Sequence, residues 1–297
     1  MKPTVSIGIP AYNEEANLGH LLSDLQSQKQ TGFKLQEIIV SSDASTDQTV
    51  SIAKKYSGSG VKILDNQVRQ GQAARQNQII DLANSDVLVL LNADILIEGR
   101  DFVWRLIQPI TNNHADLTSS NLLALAPKTF MGQVLFHSLK LRNEVYKKYH
   151  LGQNIYTCHG AARAFSKNLY QNFRFQNSVA EDAYSYLYAI FKGYKYRYVA
   201  DAIAYIRWPE SLIDHERQSL RFFQSQKVLS SQFDPQFVSD QYKLPPLEVL
   251  KTVVKFYLQY PIHALAYSFI FWFMFCKSFF KRPMDTWQSS VSSKILK

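Results

Sequence analysis

Four short stretches of this 297-residue chain gather acidic, amide and hydroxyl side chains where chemistry could be done. Asn92-Ala93-Asp94 closes the unbroken apolar run Leu88-Val89-Leu90-Leu91. A carboxylate at the end of a buried run is costly unless it meets a cation or caps the next turn. A hard divalent cation suits its oxygens, and the residues alone leave cation and cap both open. Ser41-Ser42-Asp43-Ala44-Ser45-Thr46-Asp47 is dense in hydroxyls and carboxylates. Ala11-Tyr12-Asn13-Glu14-Glu15 sets an aromatic ring beside an amide and two acids. Glu181-Asp182 precedes the aromatic run Tyr184, Tyr186, Tyr188 and Phe191, where an acidic pair also suits a helix start.

The elements that must hold these stretches follow from periodicity. Apolar runs at 5–10, 37–40, 61–64 and 86–91 predict strands, and each of the first three leads through a polar loop to a helical pattern. Leu18, Leu21, Leu22 and Leu25 mark the first of those helices. Alternating strand, loop and helix predicts an α/β fold with a doubly wound, mostly parallel sheet. Ligands of such sheets bind outside the carboxyl ends of the strands, so polar strand ends along one edge would make a nucleotide pocket. No glycine-rich dinucleotide or P-loop motif is present, which removes the main support for those two readings. Further on, helices are expected over 102–110 and 130–150, with strands near 116–121 and 158–165.

Pro10-Ala11-Tyr12-Asn13-Glu14, Ser42-Asp43-Ala44-Ser45-Thr46-Asp47 and Asn92-Ala93-Asp94, in this order, resemble three motifs of the family-2 glycosyltransferases of GT-A fold. They are similar to the P-x-Y-N-E loop, the D-D-G-S-T-D loop and the D-x-D motif, and the likeness covers roughly residues 4 to 225. The resemblance implies that Pro10, Ala11, Tyr12, Glu14 and Asp43 line the base and ribose pocket, with Asn92 and Ala93 beside them. Asp94 would bind Mg²⁺ or Mn²⁺ on the diphosphate, and His215 is a candidate further metal ligand. Gln72 stands where many relatives carry a phosphate-facing Lys, and Asn92 where the first Asp is usual; Arg69 or Arg75 would supply positive charge. Glu181-Asp182 resembles the family's E-D pair, which makes Asp182 the general base and Glu181 its helper. His159, Gly160, Arg221 and Phe222 would contact sugar or acceptor, the last two within a variant of the Q-x-x-R-W motif. The implied reaction is inverting transfer from a nucleotide-diphosphate sugar to a hydroxyl. Alternatives are a donor-binding but inactive membrane-associated protein, or another nucleotide-sugar enzyme.

Composition bounds the partners. Lys and Arg number 33 against 24 acidic residues, a net +9, which favours anionic partners. No interleaved basic and aromatic patch supports nucleic acid as one of them. Cys158 and Cys276, the only cysteines, are too few for a disulfide framework. Met1-Lys2-Pro3-Thr4 runs into a strand without an apolar leader, so the cytoplasm is expected. After Pro245-Pro246, Leu247, Leu250, Val253, Val254, Tyr257 and Leu258 recur at helical spacing, and an apolar stretch follows over 262–276. Lys277, Lys281 and Arg282 then suit anionic lipid at the cytoplasmic face of a membrane. The expected organisation is a catalytic domain over 1–240, a membrane-associating helical segment over 245–284 and a polar tail over 285–297. The acceptor is expected to be lipid-linked or a glycan.

Overall fold

The computed structural model describes residues 1–176, 180–278 and Leu296, apart from the side chains of Arg221, Phe223 and Ser278. Its strands are β1 (Thr4–Ala11), β2 (Lys34–Asp43), β3 (Val61–Asn66), β4 (Val87–Leu91), β5 (Leu96–Ile97), β6 (Leu117–Ala124), β7 (Ala162–Ser166) and β8 (Tyr196–Ile206). The helices begin with α1 (Leu18–Gln26), α2 (Thr49–Lys54), α3 (Gln72–Leu82), α4 (Phe102–Thr111), α5 (Phe130–Lys148), α6 (Lys167–Gln171) and α7 (Glu181–Phe191). They end with α8 (Leu212–Leu229), α9 (Pro235–Gln241), α10 (Pro246–Gln259) and α11 (Pro261–Ser278). Chain contacts divide these elements into two compact units.

Among the described residues, the first unit comprises those within 1–123 and 158–206 together with Leu296, and it holds the sheet in the order β3-β2-β1-β4-β7-β6-β8-β5. β3, β2, β1 and β4 run parallel, while β7 joins β4 antiparallel. The expected α/β architecture is therefore present, with antiparallel strands added beyond β4. β4 is buried at all five positions, which is why its sequence shows no alternation. The leucines of α1 face inward as their spacing predicts. Gly8 lets α3 approach β1: a Cβ there would lie 2.3 Å from Ile79 Cγ2 and 2.9 Å from Leu90 Cδ2. The chain leaves β1 toward β2 on one side and returns to β4 on the other. By the rule for such sheets, that reversal makes the carboxyl ends of β1 and β4, where the Tyr12 and Asp94 loops emerge, the place for a ligand.

The second unit comprises residues 124–157 and 207–293 and is helical where described. The division departs from the expected boundary near 240–245. Val134 of α5 packs on Ile270 and Met274 of α11, and Leu141 of α5 packs with Phe256 of α10 and Ala264 of α11. The tail helices thus share a core with α5 rather than forming a separate appendage. α10 is amphipathic as predicted: Phe256 points inward, whereas Leu247, Leu250, Val253, Val254, Tyr257 and Leu258 are exposed. Ile262, Leu265, Phe269 and Trp272 of α11 are exposed too. Among the described residues no helix is long and apolar enough to cross a membrane. Lys281, Arg282 and the polar tail, apart from Leu296, lie outside the described residues.

Candidate active site

The hydroxyls and acids of the second loop turn out to stitch it to the first. Asn13 Oδ1 accepts from the Thr46 amide at 2.8 Å, and the Asn13 amide donates to Ser45 Oγ at 3.1 Å. The Glu14 amide donates to Thr49 Oγ1 at 2.7 Å, and the Gln48 amide donates to Glu15 Oε2 at 2.9 Å. Asp47 accepts from the amides of Glu15 and Thr49. Both loops contain a left-handed residue that is not glycine, Asn13 at φ 53° and Ala44 at φ 59°. Strain of this kind persists where surrounding bonds over-determine the backbone, and the clasp supplies them. Pro10, Ala11 and Glu14 are buried, with Glu14 Oε2 accepting from Asn17 Nδ2 at 3.0 Å.

Asp43 anchors a third loop. Its Oδ1 accepts from the Gln70 amide at 2.8 Å and Arg75 Nε at 2.7 Å, and its Oδ2 accepts from the Gly71 amide at 2.8 Å. Gly71, at φ 90° and ψ 170°, takes a conformation open essentially to glycine alone and starts α3. Arg75 also donates to the Val68 carbonyl at 2.7 Å and is only 4% exposed. Its guanidinium is therefore built into the wall, a correction to the expectation that it offers charge to phosphate. Arg69 instead lies over the Tyr12 ring, 4.0 Å from the centroid. Gln72 and Asn92, two of the residues that differ from the family pattern, meet: Gln72 Nε2 donates to Asn92 Oδ1 at 2.9 Å.

The turn after β4 is tied to the strand that follows. The Asn92 amide donates to the Ala161 carbonyl at 2.9 Å, Ala93 is buried and Asp94 is half-buried. One residue earlier, a Cβ on Gly160 would lie 3.6 Å from Asp182 Cβ and 3.9 Å from both Asp182 Oδ2 and Glu181 Oε1. Adjacent residues 160 and 161 thus neighbour the acidic pair and the Asn92-Ala93-Asp94 turn, respectively. Asp182 Oδ1 accepts from the Ala183 amide at 2.8 Å, which leaves Oδ2 on the Gly160 side. His159 is half-buried beside them. Among the described residues no three His, Cys, Asp or Glu side chains gather as a metal cage. A single carboxylate at Asp94 suits a hard cation that takes its other oxygens from a diphosphate and water.

Residues 6–174 match the model of glycosyl transferase family 2. The chain belongs to that family. Its curated relatives include the glycosyltransferase AglE of Haloferax volcanii, 30% identical over 122 residues, 40% of each chain. A 4,4'-diaponeurosporenoate glycosyltransferase of Staphylococcus aureus is 30% identical over 106 residues, 35% of this chain and 27% of the relative. The matches thus span well under half of these relatives. Solved structures with the same fold include a Pyrobaculum calidifontis mannosyltransferase in complex with GDP-Man and Mn²⁺. It has TM-score 0.65 and 15% identity, covering 94% of this chain and 87% of that one. Staphylococcus aureus TarS with UDP-GlcNAc has TM-score 0.53 and 21% identity, covering 71% and 60%. The likeness to both concerns the fold.

The remaining family-2 expectations fall in the second unit. Phe222 on α8 is half exposed, and the Arg221 side chain lies outside the described residues. His215, also on α8, is 5% exposed; its Nε2 lies 3.3 Å from Ser219 Oγ and its ring faces Tyr267. Burial, then the Arg142 charge, push its imidazole down to about 4. A neutral imidazole is the form that ligates metals, but the Arg142 charge beside it opposes a further cation. The sequence gives Asn13, Thr49 and Arg163 no individual role. The signal for Arg163 is a lone charge within Ala162-Arg163-Ala164-Phe165, an otherwise apolar strand.

Proposed function

We propose that the chain transfers a sugar from a nucleoside-diphosphate donor to a hydroxyl acceptor by single displacement, with inversion at the anomeric carbon. The observation that carries this reading is the convergence at residues 160–161, where Gly160 neighbours Asp182 and the Ala161 carbonyl accepts from the Asn92 amide. Asp94 would hold a divalent cation, Mg²⁺ or Mn²⁺, whose charge offsets that of the departing diphosphate. Tyr12, with Arg69 on its ring, would form one wall of the base pocket, and the Gln72–Asn92 amide pair would face the ribose and phosphates. Asp182 Oδ2, held by the Ala183 bond to its partner oxygen, would take the proton from the attacking hydroxyl. Glu181, at the same helix start, would orient that hydroxyl.

The exposed apolar face of α10, together with the chain's net +9 charge, supports docking of the second unit on an anionic membrane surface. An acceptor presented at such a surface, at the cytoplasmic face, would be lipid-linked or a growing polysaccharide. The neutral Gln72–Asn92 pair also favours a second reading, a donor-binding protein without turnover.

A thermal-shift screen of UDP and GDP with Mn²⁺ would name the donor class. Product release from UDP-Glc, UDP-GlcNAc and GDP-Man would then be followed for wild type and Asp182→Asn. The base assignment predicts at least a hundredfold loss in the variant; full activity in Asp182→Asn refutes it. Nucleotide binding without turnover of any donor supports the second reading. For the membrane face, Leu250→Glu with Leu258→Glu should abolish sedimentation with anionic vesicles, and equal sedimentation of wild type and variant refutes docking there.

A further inference from the structure

Arg163 is among the largest fully buried side chains of the described residues and sits in mid-sheet on β7, opposite Leu90 on β4 and Ser119 on β6. Its guanidinium lies 5.3 Å from the Phe175 ring centroid and 5.8 Å from that of Phe165. Nη1 donates to the Glu181 carbonyl at 3.0 Å and to Ser185 Oγ at 2.7 Å. Ser185 Oγ donates in turn to the Asp182 carbonyl at 2.8 Å. Nε and Nη2 have no partner, and Arg163 makes no ion pair among the described residues. The adjacent Cys158 thiol, 4.0 Å from Ser185 Oγ, is pushed up to about 12 by burial and remains a neutral neighbour.

Stability does not explain such a residue. A buried charge without a counter-ion and with two idle donors is worse for folding than an apolar side chain of its size. What the guanidinium does hold is the backbone of the acidic pair, directly at Glu181 and through Ser185 at Asp182. The N-cap position of α7 is an alanine, whose side chain offers no capping acceptor. With the first turn fixed from below, Asp182 Oδ1 stays on the Ala183 amide and Oδ2 stays toward Gly160.

We propose that Arg163 is a positioning residue for the transfer reaction, locking the first turn of α7 so that the Asp182 carboxylate is presented in one orientation. This rests on the base role proposed for Asp182, and the test separates the two. Arg163→Met, Arg163→Lys and Ser185→Ala would be made in the full chain beside Asp182→Asn. Readouts are melting temperature, amide exchange at 181–185, calorimetric affinity for UDP or GDP with Mn²⁺, and kcat with whichever of UDP-Glc, UDP-GlcNAc and GDP-Man is turned over. In Arg163→Met the melting temperature should hold or rise and nucleotide affinity stay within twofold. Exchange at 181–185 should accelerate at least tenfold and kcat fall at least tenfold. Arg163→Lys, which can reach one acceptor but not both, should restore part of kcat, and Ser185→Ala should lose less than Arg163→Met. Unchanged exchange and kcat in Arg163→Met overturn the proposal, as does a joint fall of melting temperature, affinity and kcat. Should Arg163→Met fail to fold, wild-type exchange and kcat in both Arg163→Lys and Ser185→Ala overturn it equally. An active Asp182→Asn would instead strike at the base role itself.

Discussion

Replacing Asp43 by Asn tests whether this acid holds the protein or the ligand. The Asp43–Arg75 pair is buried, with side-chain exposures of 6% and 5%, so solvent screens it little. Asparagine keeps one acceptor oxygen but turns an NH₂ group toward either Arg75 Nε and the Gln70 amide or the Gly71 amide, all donors. It also leaves Arg75 buried without its counter-charge. Breaking one partner of such a pair costs about 3–5 kcal/mol. In a unit of this size that lowers the melting temperature by roughly 10 °C. Arg75→Met should cost less, because the carboxylate it leaves still takes two backbone N–H bonds. The double variant Asp43→Asn with Arg75→Met removes both charges and should recover about 2 kcal/mol relative to the sum of the single effects. Urea unfolding of the four proteins gives these differences, and calorimetry with the nucleotide gives affinity. Because three of the acid's four lone-pair positions are engaged within the protein, stability and loop order should fall first and affinity with them. Asp43→Asn with native stability and lost nucleotide affinity would refute this reasoning and make Asp43 a ligand contact alone.

Ala44→Gly removes left-handed strain at φ 59° and should raise unfolding free energy by about 1 kcal/mol, read by urea unfolding; no gain would mean the clasp carries no strain. Gly8→Ala drives a methyl to 2.3 Å from Ile79 Cγ2 and should destabilise by about 1–3 kcal/mol, with Ile79→Ala restoring part of it. His215 is held near 4 against an ordinary 6.5, so protons bind the unfolded chain better. Its contribution is complete above about pH 6.5 and is lost as pH falls toward 4, up to about 3 kcal/mol; His215→Leu should flatten that limb of stability against pH. The half-buried His137 is lowered in the same direction, first by burial and then by the neighbouring His263.

Periodicity was sufficient for the parallel half of the fold, because β4 and the leucine face of α1 bury in the pattern their residues spell. It was insufficient for the unit division. The spacing within 247–258 shows that α10 is amphipathic, but not that Phe256 would meet Leu141, more than a hundred residues earlier. The site divides along the same line. Tyr12, Asp43, Asp94 and Asp182 could be singled out because polar residues at strand ends stand out locally. Their partners could not, since hydrogen bonds such as Asn13 to Thr46 or Asn92 to Ala161 join residues that no local pattern relates.

Gln72 and Asn92 show what that blindness conceals. Taken separately, each is the loss of a charge from a motif, and two losses suggest a decaying site. The structure joins them by a 2.9 Å bond between side chains twenty residues apart. Replacing an isolated charge leaves its partner stranded, whereas replacing both members of a neighbouring pair by amides keeps a donor facing an acceptor. An amide pair beside Asp94 removes two opposite charges from the pocket, so its net charge is unchanged and neither side chain is left unmatched. Metal affinity in the absence of nucleotide should then be set by Asp94 almost alone. Mn²⁺ binding followed by electron paramagnetic resonance should be weak in the free protein and strengthen when UDP or GDP is added. Asn92→Asp should strengthen it without nucleotide, and Asn92→Asp combined with Gln72→Lys should reverse that gain, because the lysine neutralises the added carboxylate. Equal Mn²⁺ affinity in Asn92→Asp and in the double variant would show that the two positions do not act as a pair.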